Sequence, residues 1–177
     1  SLDLCCWFAA QATDPATAAF SSLEPADAEA ALAVGELVRF SRELESAGWA
    51  MLGGAWSFGG CGGSRAKWDA AVGVLAESIA THGGPFLVGK RPTLADVALA
   101  PFVARFELAA SACFGHDVRA QSEALDGYLG ALYSDAAWCM TWPDRDAFGR
   151  AIARYRSLDY FDYHTSSLAQ PDPENQR

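Results

Sequence analysis

The chain has 177 residues, of which 51% are hydrophobic and 20% charged, proportions that exclude disorder and suffice for one sizeable core. Thirteen Lys and Arg against twenty-two Asp and Glu leave a formal net charge of −9, which excludes nucleic acid as a partner, since tracking phosphates needs clustered cations. The longest uninterrupted apolar runs, such as Val97 to Ala104, fall far short of the roughly 20 residues that cross a bilayer, so no membrane span is expected.

Ser1 to Ala10 is a short, mostly apolar piece, and Thr13-Asp14-Pro15 and Glu24-Pro25 punctuate the linker after it. A helix is predicted from Ala26, with Val34, Leu37, Phe40, Leu44 and Met51 on its buried side and Glu36, Arg39, Glu43 and Glu45 on or near the wet side. Gly53-Gly54 should end it, leaving a flexible Gly-rich connection through Gly63. The next helix is predicted to begin near Ser64. Its Trp68, Val72, Leu75 and Ile79 have 4, 3, 4 spacing, and Gly83-Gly84-Pro85 stops it.

Thr93 and Asp96 stand in the capping-box relation, in which the hydroxyl faces the amide three residues on and the carboxylate reaches back to the cap amide. The helix they open is apolar nearly all round, as a central buried helix must be, and Pro101 should kink it. Leu125, Tyr128, Leu129 and Leu132 mark a further helix, Trp138 and Trp142 come next, and Pro143 or Asp144 opens another containing Phe148, Ile152 and Tyr155. With no alternating β pattern, the expected class is all-α with at least five helices. The segment through Tyr163 is an aromatic anchor, and a tail ends the chain.

Few residues suggest chemistry of their own. The five cysteines (Cys5, Cys6, Cys61, Cys113, Cys139) are odd in number and lack C-x-x-C spacing, which fits a reducing compartment: an intracellular soluble protein of the cytosol or plastid stroma. Cys5-Cys6 reads as small core residues and Cys61 as an incidental loop thiol. Gly59 to Arg65 lacks the Gly-Lys-Ser/Thr ending of a phosphate loop. His82, His116 and His164 have no i, i+4 partner, so no metal site is expected. Asp96 reads as a cap, not as a catalytic acid. Trp49, Trp56, Trp138 and Trp142 exceed what the core needs and point to protein interfaces.

Gly84-Pro85-Phe86-Leu87-Val88-Gly89, together with Pro92-Thr93-Leu94-Ala95-Asp96-Val97-Ala98-Leu99-Ala100-Pro101 after it, resembles the helical C-terminal domain of the glutathione S-transferase superfamily, omega-like or a related class. Tyr128 to Leu132 and Trp138 to Pro143 are similar to later parts of that domain. The resemblance implies three regions: 1–25, the remnant of an upstream domain's last helix plus a linker; 26–163, the helical domain; and 164–177, a flexible tail. Ser1 to Phe8 is similar to the end of the family's thioredoxin-like domain, making Ser1 a candidate remnant of a glutathione-binding element. The strand-helix-strand part that activates the sulfur of glutathione has no counterpart in this sequence.

The resemblance also implies an apolar pocket for a small ligand, with Phe40, Glu43, Ala47 and Phe106 as candidate lining residues. It assigns no catalytic residue here. No cofactor is expected in this chain, and glutathione enters only with an upstream domain. The expected function is a non-catalytic protein-binding or scaffold subunit working with other protein subunits. The alternative is the substrate-side half of an active glutathione transferase or glutathione-dependent thiol reductase.

Overall fold

A computed structural model describes residues 23–56 and 65–150. Ser1, Cys5, Cys6, Cys61, His164, the N-terminal piece with most of its linker, the Gly59 to Gly63 connection and the tail lie outside the described residues. Five helices are arranged in the order α1 (Ala28–Trp56), α2 (Arg65–His82), α3 (Leu94–Phe114), α4 (Glu123–Ser134) and α5 (Ala136–Thr141). A 3-10 turn (Arg119–Gln121) precedes α4, and residues 145–150 are again helical. No strand occurs among the described residues. The fold is all-α, built round α3.

Helix α1 opens two residues after Ala26 because Asp27 caps it, its Oδ1 accepting the Ala30 amide at 2.8 Å. Val34, Leu37, Leu44, Ala47 and Met51 are buried, and Phe40 is half-buried at the margin. The expected stop at Gly53-Gly54 does not occur, since α1 continues to Trp56. Glycine weakens a helix by about 1 kcal/mol but keeps its amide donor, so two glycines after a well-buried stripe do not suffice to break it.

In α2, Trp68, Val72, Leu75 and Ile79 are buried together with Ala71. Past its end, Gly83 adopts φ +66° and the Gly84 amide returns to the Ile79 carbonyl at 3.0 Å. Helix α3 passes through Pro101 without interruption and ends at Gly115, φ +62°, whose amide bonds the Ser111 carbonyl at 2.9 Å while the His116 amide bonds that of Ala110 at 3.1 Å.

At 21 residues and a mean hydropathy of 1.5, α3 is long and apolar enough to cross a membrane by length and composition. A core helix passes the same test, and 56% of the most apolar window of α3 is buried inside the fold, so the expectation of no membrane span is not overturned. Only Asp96, Arg105 and Glu107 interrupt α3, and a helix tolerates such interruptions where a simple run does not. Here most of α3 is buried in the core, with Val97 and Phe114 left exposed.

The core is one continuous cluster contributed by α1 to α4 and the loop between α2 and α3. Phe106 of α3 lies at its centre with no exposed surface, edge-on to Trp49 of α1 (ring centroids 5.4 Å apart) and to Trp68 of α2 (5.5 Å). Gly48 lets α1 approach that ring, since a Cβ there would sit 2.2 Å from it. Leu125, Tyr128, Leu129 and Leu132 of α4 complete the core. Asp135 caps α5 by accepting the Trp138 amide at 2.9 Å. Asp144 opens the 145–150 helix, with its Oδ1 on the Ala147 amide at 2.8 Å.

Candidate functional site

The start of α3 organises an apolar concavity. The capping box of Thr93 and Asp96 is formed. One carboxylate oxygen of Asp96 accepts the Thr93 amide at 2.7 Å and the Thr93 hydroxyl at 3.0 Å. Its other oxygen accepts the Leu87 amide at 3.0 Å, so one buried side chain fixes both the helix start and the loop before it. That loop turns at Gly89, φ +102°, where the Phe86 amide bonds the Gly89 carbonyl at 3.0 Å. Burial pushes the Asp96 carboxyl up, more than the amide and hydroxyl bonds from Leu87 and Thr93 pull it down. Tyr128, fully enclosed nearby, is pushed well above the usual phenol range by burial and then by the Asp96 charge.

Against this frame lies a groove of about 600 Å³ whose walls include Leu23, Phe86, Val97, Pro101, Leu132 and Trp138. Its two carboxylates, Asp96 and Asp135, are both committed to backbone amides. The groove therefore offers apolar contact, with no free nucleophile or base among those side chains. Val97 is 44% exposed on its wall, and Met140 of α5 is 87% exposed. Trp138 stacks on Trp142 (centroids 4.6 Å, planes 17° apart), and Phe148 meets Trp142 edge-on at 5.5 Å, which stiffens the α5 side.

A second polar centre lies further along α3. Glu107 is buried, and its Oε1 accepts from Arg145 Nη2 at 2.5 Å and lies 3.5 Å from Arg119 Nε. Both guanidinium groups also cover the Tyr133 ring, at 5.7 Å for Arg119 and 5.0 Å for Arg145. Arg119 reaches Asp126 as well, at 3.0 Å. Burial pushes the Tyr133 phenol up, Glu107 adds to the rise, and the two arginines oppose it. Glu107 Oε2, the Tyr133 hydroxyl and Arg145 Nη1 are enclosed without a hydrogen-bond partner. The sequence gives no sign of this centre, because an isolated Glu in a helix reads as a solvated residue.

The four candidate pocket residues differ in exposure. Phe106 is a core residue with no exposed surface, and Ala47 is buried beside it in sequence register with Gly48. Glu43 is exposed on α1. Phe40 borders a shallow cleft between α1 and α2 with Val74, Ser78 and His82. Trp49 and Trp68 pack edge-on against the Phe106 ring. The His82 ring contacts the Ser78 carbonyl at 2.8 Å, Cys113 is buried, and Cys139 is exposed.

Residues 27–131 match the family model described as glutathione S-transferase, C-terminal domain. Among solved structures, the trimeric glutathione transferase TDR1 of Leishmania superposes with a TM-score of 0.61 at 25% sequence identity. The match covers 76% of this chain and 30% of that one, so the chain spans under a third of the neighbour's length. No curated protein sequence matches the chain.

Proposed function

Because the chain belongs to the glutathione S-transferase C-terminal domain family, we propose that it works as a non-catalytic helical module that binds other protein subunits through the groove at the start of α3. The observation that carries this reading is the groove's make-up. Its walls are apolar and its carboxylates already hold backbone amides, so an apolar segment of a partner suits it better than a reacting substrate. Val97 on the groove wall is exposed, which leaves that wall accessible to a partner. A photocrosslinking amino acid at Val97 should trap a partner chain in source cells. The same residue at Leu32, 72% exposed on α1 and away from the groove, should not. Conjugation of glutathione to an aryl halide by the purified chain at enzymatic rates would overturn the reading.

The family membership and the likeness to a glutathione transferase favour a second reading, in which this domain is the substrate-side half of a transferase or thiol reductase. Glutathione would then be held and activated by an upstream thioredoxin-like domain, and this domain would position the electrophile beside the sulfur. Sequencing the transcript upstream of Ser1 separates the two. A strand-helix-strand segment with a nucleophile supports the second reading.

A further inference from the structure

The loop that forms one wall of the groove is fastened at both ends by a single buried side chain. Asp96 accepts the Leu87 amide at 3.0 Å through one carboxylate oxygen and the Thr93 amide at 2.7 Å through the other. Val88 to Pro92 therefore form a short span between two anchored points, tightened where the Phe86 amide bonds the Gly89 carbonyl at 3.0 Å. Phe86 and Pro92, at either side of that span, line the groove.

Lys90 and Arg91 stand next to each other in the span, and both are exposed. They are the only adjacent pair of basic residues in the sequence. Among the described residues neither takes part in an ion pair, whereas Arg65, Arg119 and Arg145 each hold a carboxylate. An exposed cation is well hydrated and needs no partner for stability. The position of this pair gives it a use, because a segment lying in the groove passes two positive charges tied to the frame. The acids of the groove differ. Asp96 and Asp135 hold backbone amides, and the exposed Glu24, beside the lining residue Leu23, is a single charge. A net charge of −9 repels an acidic partner at long range, but screening over about 8 Å at physiological salt leaves contact pairs to decide the seated complex.

We propose that the partner segment taken up by the groove is apolar with acidic residues at one end, and that Lys90 and Arg91 seat those acidic residues. This rests on the reading of the groove as a protein-docking surface, and it adds the chemistry and the direction of what docks. Apolar burial supplies most of the affinity, and the cations select the end of the segment that lies at the Pro92 rim. Because the loop is anchored before anything binds, the contacts need little further ordering of the backbone.

The test uses the full chain and two dye-labelled peptides of about ten residues with the same leucine and phenylalanine core, one ending in two glutamates and the other in two lysines, read by fluorescence anisotropy. The acidic peptide should bind about three- to tenfold more tightly, the gain expected from two exposed ion pairs, and about 0.5 M salt should shrink the preference. The double variant Lys90→Gln, Arg91→Gln should remove it, and Val97→Asn on the groove wall should weaken both peptides. Equal binding of the two peptides, or a preference that survives the double variant, overturns the proposal, and the groove reading then stands alone if Val97→Asn still weakens both. Binding that Val97→Asn leaves unchanged, or no binding by either peptide at about millimolar concentration, overturns both. Should the double variant fail to fold by circular dichroism, the salt dependence of the preference in the natural chain decides.

Discussion

Replacing Asp96 by Ala removes three hydrogen bonds at once and leaves the Leu87 and Thr93 amides facing a vacated site in the interior. A buried donor left unpaired costs about 1–3 kcal/mol, and two of them together with the lost cap give roughly 3–6 kcal/mol. The substitution also removes a carboxyl that burial disfavours, which offsets part of that loss. The net expectation is a loss of about 3 kcal/mol, or about 6–12 °C in melting temperature for a chain of this size. Thr93→Ala loses one hydroxyl contact and should cost about 0.5–2 kcal/mol.

Urea denaturation monitored at 222 nm measures both variants. The pH dependence has a definite sign. The folded carboxyl of Asp96 lies above its ordinary value of 3.8, so the native chain holds that proton more tightly than the unfolded chain. Asp96 therefore adds stability as the pH falls from neutral through its raised pKa toward 3.8, and loses that increment as the pH rises again. The gap between the natural chain and Asp96→Ala should widen on acidification, opposite to the behaviour of a salt-bridged acid. A loss under about 1 kcal/mol, or a gap that narrows toward pH 4, would refute the reasoning.

Two glycines should respond in opposite directions. Gly48→Ala places a methyl group 2.2 Å from the Phe106 ring and should cost at least about 1–3 kcal/mol, whereas Gly73→Ala, on an open face of α2, should add about 0.4–1 kcal/mol. Chemical denaturation separates them. Glu107→Gln leaves Arg119 and Arg145 without their shared anion and should cost about 2–3 kcal/mol, less than a fully enclosed pair because both guanidinium groups reach solvent. The same substitution should bring the Tyr133 phenol down toward its usual range, read as an earlier rise in phenolate absorbance during an alkaline titration, since Glu107 contributes to its elevation.

The sequence displays whatever rests on local periodicity. Trp68, Val72, Leu75 and Ile79 mark the buried stripe of α2 by spacing alone, and Thr93 with Asp96 marks the start of α3 because a capping box is a contact three residues long. Features that depend on helices crossing do not show. Phe106 looks in the sequence like a residue that could line a pocket, and only the approach of Trp49 and Trp68 makes it the centre of the core. Leu87 held by Asp96 spans nine residues, Glu107 to Arg145 spans thirty-eight, and no pattern in the chain announces either. Gly53-Gly54 misleads for a different reason, since a glycine's small penalty falls short of a full stop.

The two buried carboxylates of α3 give the domain a lopsided mechanical character. Asp96 ties α3 to the loop preceding it, and Glu107 ties it to the segments carrying Arg119 and Arg145, each through bonds that tolerate little rotation. Helix α1 meets α3 through Gly48 and the Trp49 ring, both against Phe106, while the Trp49 indole nitrogen bonds Glu45 of α1 itself, at 3.4 Å. Interlocked apolar side chains set both the distance and the crossing angle of two helices. Under load, α3 and the segments bonded to it should hold together as one frame, and α1 should keep its tilt across that frame for as long as Gly48 lets its backbone rest on the Phe106 ring.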